Sequence, residues 1–96
     1  MDVKAYLQVT MYIDDRNRAA AAKVYNDYRQ PFLDGIAGAL TKELLVRDED
    51  VQVCHGFDSV EHASAYLSSE LFQTKVFPAL KPLWSKGPEV KIYTKA

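Results

Sequence analysis

The chain has 96 residues, 48% hydrophobic and 26% charged, with a formal net charge of −1 from 12 basic and 13 acidic side chains. That length predicts one domain over residues 1–96 with a thin core, since a chain this short buries only roughly 65% of its unfolded surface. No Lys/Arg cluster offers a nucleic-acid footprint, no apolar run approaches the ~18 residues of a membrane helix, and a lone cysteine without an internal disulfide predicts a reducing cytoplasm.

Residues 3–13 alternate strictly. Val3, Ala5, Leu7, Val9, Met11 and Ile13 share one side, while Lys4, Tyr6, Gln8, Thr10 and Tyr12 share the other. Period two over that length predicts a strand. Asp14 and Asp15 offer N-caps, and the alanine-rich run after Arg16 propagates a helix with Ala20, Val24, Tyr28 and Phe32 as its apolar stripe. Pro31 is expected to kink that helix or end its regular part, with Gly35 and Gly38 as the exit. Residues 39–47, ALTKELLVR, read as a second strand, although Lys42, Glu43 and Leu44 also suit a helix. The polar link Asp48-Glu49-Asp50 favours a hairpin into a third strand at 51–57. Asp58 or Ser59 caps a helix over about 60–68, with Glu61 in the capping-box position if Asp58 is the cap. A helix restarts at Glu70 and runs through Leu71, Phe72 and Val76 toward Pro78. Pro82, Gly87 and Pro88 mark an irregular crossing, and residues 89–94 form the last strand.

The order β-α-β-β-α-β is ferredoxin-like, an α+β arrangement of a four-stranded antiparallel sheet with helices on one face. The opposite face carries Tyr6, Thr10 and Tyr12, too aromatic for plain solvent surface. Homodimerisation through the sheet faces is therefore expected.

The chain's only cysteine and both histidines fall within Cys54–His62. Neighbours on a strand leave from opposite faces, so Cys54 and His55 cannot share an ion or form a thiol–imidazole pair. His62 falls about 140° from the apolar centre of the next helix, on its solvated side. Neither metal-ligand spacing nor an activated thiol is present. Cys54 reads as a small buried hydrophobe. His55 is either a hydrogen-bonded core residue or a polar group lining a pocket between sheet and helices.

With strand, cap and helix placed, the spacing Phe57-Asp58-Ser59-x-x-x-Ala63-x-x-Tyr66-Leu67-x-Ser69-x-x-Phe72 resembles the antibiotic biosynthesis monooxygenase-like family. Pro82-Leu83 and Val90-Lys91-Ile92-Tyr93 are similar to that family's closing segment. The resemblance implies a dimeric α+β barrel and, for some members, cofactor-independent oxidation of phenolic compounds. Tyr66 stands where relatives frequently carry histidine, and Phe57 where they carry tryptophan. Haem-degrading relatives look to need an iron-ligating histidine near the position of Val76, which cannot ligate iron, so this departure disfavours haem degradation, and no cofactor is expected.

Tyr66, about 100° from the apolar centre of its helix, is expected at the core edge with its hydroxyl presented. His55 and Tyr66 are the candidate acid–base or hydrogen-bonding residues. Tyr28, Phe57, Phe72 and Trp84 are candidate contacts for a small aromatic or apolar ligand. Aromatics at helical spacing are more often core than pocket, and Trp84 also reads as a plug for the sheet or a subunit contact. Three functions remain open: an oxygenase-like enzyme, a non-catalytic binding barrel, and a structural homodimer.

Overall fold

The computed structural model describes residues 2–96. Its elements are β1 (Ala5–Tyr12), α1 (Asp15–Gly35), β2 (Ala39–Val46), β3 (Val51–Phe57), α2 (Val60–Tyr66), α3 (Phe77–Leu80) and β4 (Lys86–Thr94). A π-helical stretch, Leu71–Val76, leads into α3, and a 3-10 turn, Lys81–Leu83, follows it. The strands form one antiparallel sheet in the order β2-β3-β1-β4, so the ferredoxin-like topology is present.

Alternation in β1 decides which face is covered. Ala5, Leu7, Val9 and Met11 are buried, and Tyr6, Gln8, Thr10 and Tyr12 are only partly so. Cross-strand partners share a face in an antiparallel ladder. Lys42, His55, Leu7 and Ile92 therefore form one inward row, and Glu43, Cys54, Gln8 and Lys91 the adjacent outward row. Tyr6 lies between Gly56 and Tyr93 on the outward face.

The stripe of α1 differs from the expected one. Ala20 is exposed, while Ala21 and Phe32 are buried, with Val24, Tyr25 and Tyr28 packed beside them. Each i, i+4 step overshoots a full turn by about 40°, so four such positions spread over about 120° and cannot share one narrow face. Pro31 does not end the helix, which continues to Gly35 with Pro31 on its exposed side.

Gly38 leads into β2 at φ +78°, in the left-handed region. A Cβ there would strike the Asp58 carboxylate and the His62 ring, so both backbone and space select glycine. The β2–β3 turn is closed by a two-pronged pair, Arg47 Nε to Asp50 Oδ1 and Nη2 to Asp50 Oδ2, both 2.8 Å. Those bonds hold the Asp50 carboxyl below its usual range. Ser59 caps α2, its Oγ accepting from His62 N at 3.1 Å, while Asp58 pairs with His62 Nδ1 at 2.6 Å. With Ser59 as cap, Glu61 is one residue short of the capping-box position. His62 is consequently half-exposed and partnered rather than free in solvent.

β4 begins at Lys86, three residues before the expected start, and takes in Gly87 and Pro88. It is an edge strand, where a missing N–H costs nothing to the ladder on its open side. No helix is long and apolar enough to cross a membrane among the described residues.

Candidate functional site

The inward row places two nitrogen-bearing side chains in an apolar layer. Lys42 is 2% exposed and sits opposite His55, which is 3% exposed. The Lys42 backbone carbonyl accepts from Tyr25 Oη at 2.7 Å and Arg29 Nε at 3.2 Å, tying β2 to α1. Its ammonium lies 5.1 Å from the Phe32 ring centre and 6.0 Å from that of Tyr25. Among the described residues no carboxylate pairs with it. Burial, aided by the nearby charge of Arg29, lowers the Lys42 pKa to about 8.

His55 Nδ1 lies 3.0 Å from the carbonyl oxygen of Leu7. A carbonyl only accepts, so Nδ1 carries the hydrogen and Nε2 the lone pair. Burial takes its pKa down to about 3, against the Leu7 hydrogen bond and with help from the Lys42 charge. The ring is therefore neutral at ordinary pH. Both alternatives read from the sequence hold at once: His55 is bonded to backbone and it borders a cavity.

Tyr66 is 1% exposed, deeper than the expected core edge. Its ring packs 5.3 Å from His55 and 5.0 Å from Phe32, the latter edge-on. Short α2 lays this residue across the inner face rather than along its rim. The hydroxyl is buried with no hydrogen-bond partner in the protein, and burial raises its pKa strongly.

These groups border a cavity of about 30 Å³ between sheet and helices. Val9, Met11 and Val53 form its floor, Ala21, Val24 and Tyr25 one wall, and Phe72, Val76 and Leu80 another. A space of that order holds one or two waters. Tyr66 is also among the residues lining a separate, more open recess of about 240 Å³, with Ile36, His62 and Ser69.

Of the residues singled out in the sequence, His55, Tyr66 and Phe72 meet at the cavity. Tyr28 is half-buried on α1, and Phe57 is enclosed, edge-on to Phe32 at 5.5 Å. Trp84 packs edge-on to Phe77 at 5.4 Å, its indole N–H buried without a protein acceptor. None of those three lines the cavity. Sequence reasoning missed Lys42 and Tyr25. The signal for Lys42 was present in β2, where alternation puts it in phase with Leu44.

Cys54 is half-buried on the outward face rather than a core hydrophobe, because its strand position opposes that of His55. Burial and the charge of Glu43 raise its thiol pKa, which disfavours the nucleophilic thiolate. Among the described residues no three His, Cys, Asp or Glu side chains are grouped to hold a metal ion.

No family model and no curated protein matches the chain by sequence. Solved structures do match in shape. A conserved protein from Methanosarcina mazei Go1 superposes with TM-score 0.84 at 13% identity, over 98% of this chain and 94% of its own. Two others bear the name "putative antibiotic biosynthesis monooxygenase". The Bordetella bronchiseptica protein has TM-score 0.84 and 12% identity over 99% of each chain. The Caulobacter crescentus CB15 protein has TM-score 0.83 and 14% identity over 98% of this chain and 91% of its own. The chain thus has the fold of the proteins given that name.

Proposed function

We propose that the chain is a small-molecule-binding protein that works as a homodimer through its outward sheet faces. Its cavity takes a small aromatic or apolar compound. The observation that carries this reading is the meeting of His55 and Tyr66, 5.3 Å apart, at an apolar cavity in a fold shared with proteins named as monooxygenases. The finer reading is cofactor-independent oxygenase-like chemistry on an aromatic compound. His55 Nε2 offers an acceptor and Tyr66 Oη a donor to the ligand's polar atom.

The magnitudes limit what His55 does. A base whose conjugate acid has a pKa of about 3 takes a proton from an ordinary phenol, pKa ~10, only at a cost near ~10 kcal/mol. His55 therefore orients the ligand and does not deprotonate it unaided. The space of about 30 Å³ must widen to take such a compound.

Thermal-shift measurements with neutral phenols, quinones, flavin and haem test the binding reading, because a ligand of the native state raises apparent stability. A shift with phenols or quinones that His55→Phe and Tyr66→Phe diminish is expected. A flat response across the panel overturns the reading. Oxygen uptake with the ligand that binds separates an enzyme from a non-catalytic binding barrel. Light scattering that shows only monomer at micromolar concentration removes the dimer.

A further inference from the structure

We infer that the cavity contains an oxyanion subsite, in which the Lys42 ammonium and the Tyr66 hydroxyl hold an anionic oxygen of the ligand. The inference deepens the small-molecule reading above and rests on the same cavity.

Fully buried lysines are rare unless paired, since burying an ammonium costs several kcal/mol that a counter-charge must offset. Lys42 is 98% removed from solvent by its 2% exposure, yet the described residues supply only aromatic faces, Phe32 and Tyr25. Cation–π attraction offsets about 2 kcal/mol or somewhat more in a desolvated place, less than the several kcal/mol of burial. Tyr66, which lines the same cavity, has a buried hydroxyl with no protein acceptor and is a second donor. A water could satisfy the hydroxyl, but only a compact acceptor that carries negative charge also offsets the unpaired charge of Lys42. A carboxylate or a phenolate oxygen meets it; a neutral hydrocarbon does not.

The surroundings fix the sign of the charge. Around Lys42 stand Tyr25 and Arg29 from α1, His55 from β3 and Tyr66 from α2, and none is a carboxylate. His55 is neutral, so the local field is positive through Lys42 and Arg29. Lys42, with a pKa of about 8, also solves the difficulty left by His55. The minor fraction that is free amine near neutral pH accepts a proton from a ligand hydroxyl, and the resulting ammonium stays beside the oxyanion it created. One O–H bond breaks, one N–H bond forms, and no electrons leave the pair.

The probe is 4-nitrophenol, whose phenolate alone absorbs in the visible, with 4-nitroanisole as a neutral isostere and acetate as a carboxylate without a ring. Below the probe's own pKa, wild-type full-length protein is expected to raise the phenolate band. Lys42→Met is expected to lose about 10- to 100-fold in affinity, the range for a hydrogen bond to a charged group. Tyr66→Phe is expected to lose less. Circular dichroism confirms that both variants are folded, and Lys42→Met should melt higher because a buried charge has been removed. Acetate raising the melting temperature above a chloride control in wild type but not in Lys42→Met also supports the subsite. It does so even if neither aromatic probe binds, in which case the aromatic reading falls alone. Binding of 4-nitroanisole as tightly as 4-nitrophenol, with no phenolate band and no effect of Lys42→Met, overturns the subsite and leaves the apolar cavity standing. No response to any of the three probes overturns it as well.

Discussion

The two faces of the sheet are built from the same strands and obey opposite rules. Inward, Leu7, Val9, Met11, Val51, Val53 and Phe57 are buried, and the polar groups admitted are Lys42 and His55. Outward, charge, amide, thiol and phenol alternate without a core, from Glu43 and Cys54 to Gln8, Lys91 and the pair Tyr6–Tyr93. In the single chain a charged side chain on the outward face, such as Glu43 or Lys91, keeps its water and costs little. On the inward face the same group shifts its pKa or leaves a donor without a partner. Chemistry in this molecule is therefore to be sought where polarity is scarce.

The contrast is most open to attack through pH. His55 has a folded pKa of about 3 against 6.5 for a free histidine, so the unfolded chain binds a proton that the native one refuses. Its contribution to stability is complete above pH 6.5 and is lost as pH falls toward 3, up to about 5 kcal/mol. Denaturant melts across that window should show the loss in wild type and a shallower one in His55→Asn, whose amide retains a donor for Leu7. Equal slopes would show that His55 is not held neutral. Next in size, Phe32→Ala removes the ring against which His55, Tyr66 and Phe57 pack, and should cost about 3–5 kcal/mol by urea unfolding.

Lys42→Met works in the other direction. The Lys42 pKa of about 8 lies below the ordinary 10.5, so its destabilising effect is full below pH 8 and fades as pH rises toward 10.5. The variant should be more stable than wild type by about 1–3 kcal/mol at neutral pH, and the gap should narrow in alkali. The smallest effect belongs outside. Tyr6→Lys should leave the unfolding free energy of the single chain within about 0.5 kcal/mol and, under the proposed dimer, weaken self-association in sedimentation. A large loss of subunit stability there would mean that the outward face is not independent of the core.

The sequence showed topology more readily than site. Strict alternation in residues 3–13, the polar link at 48–50 and the cap at Asp58-Ser59 helped to give the element order, because period, turn and capping are local properties. β4 was underestimated since Gly87-Pro88 signals a break unless the strand is known to lie at an edge. Lys42 escaped notice because a lysine in a short strand is ordinarily a solvent residue; its phase with Leu44 was the available signal, and its register opposite His55 confirms that it points inward. Tyr66 was recognised and its depth misjudged, since depth depends on how a seven-residue helix lies on the sheet.

The paired hydrogen bonds to the Lys42 carbonyl have a consequence for how this protein changes over generations. Tyr25 and Arg29 grip the main chain of β2, not its side chain. The position is thus a fixed socket whose occupant can be exchanged without disturbing the frame around it. An apolar residue there would suit a neutral guest, and a carboxylate would suit a cationic one. Selectivity could drift through a single codon while the sheet, the helix and their spacing stayed as they are.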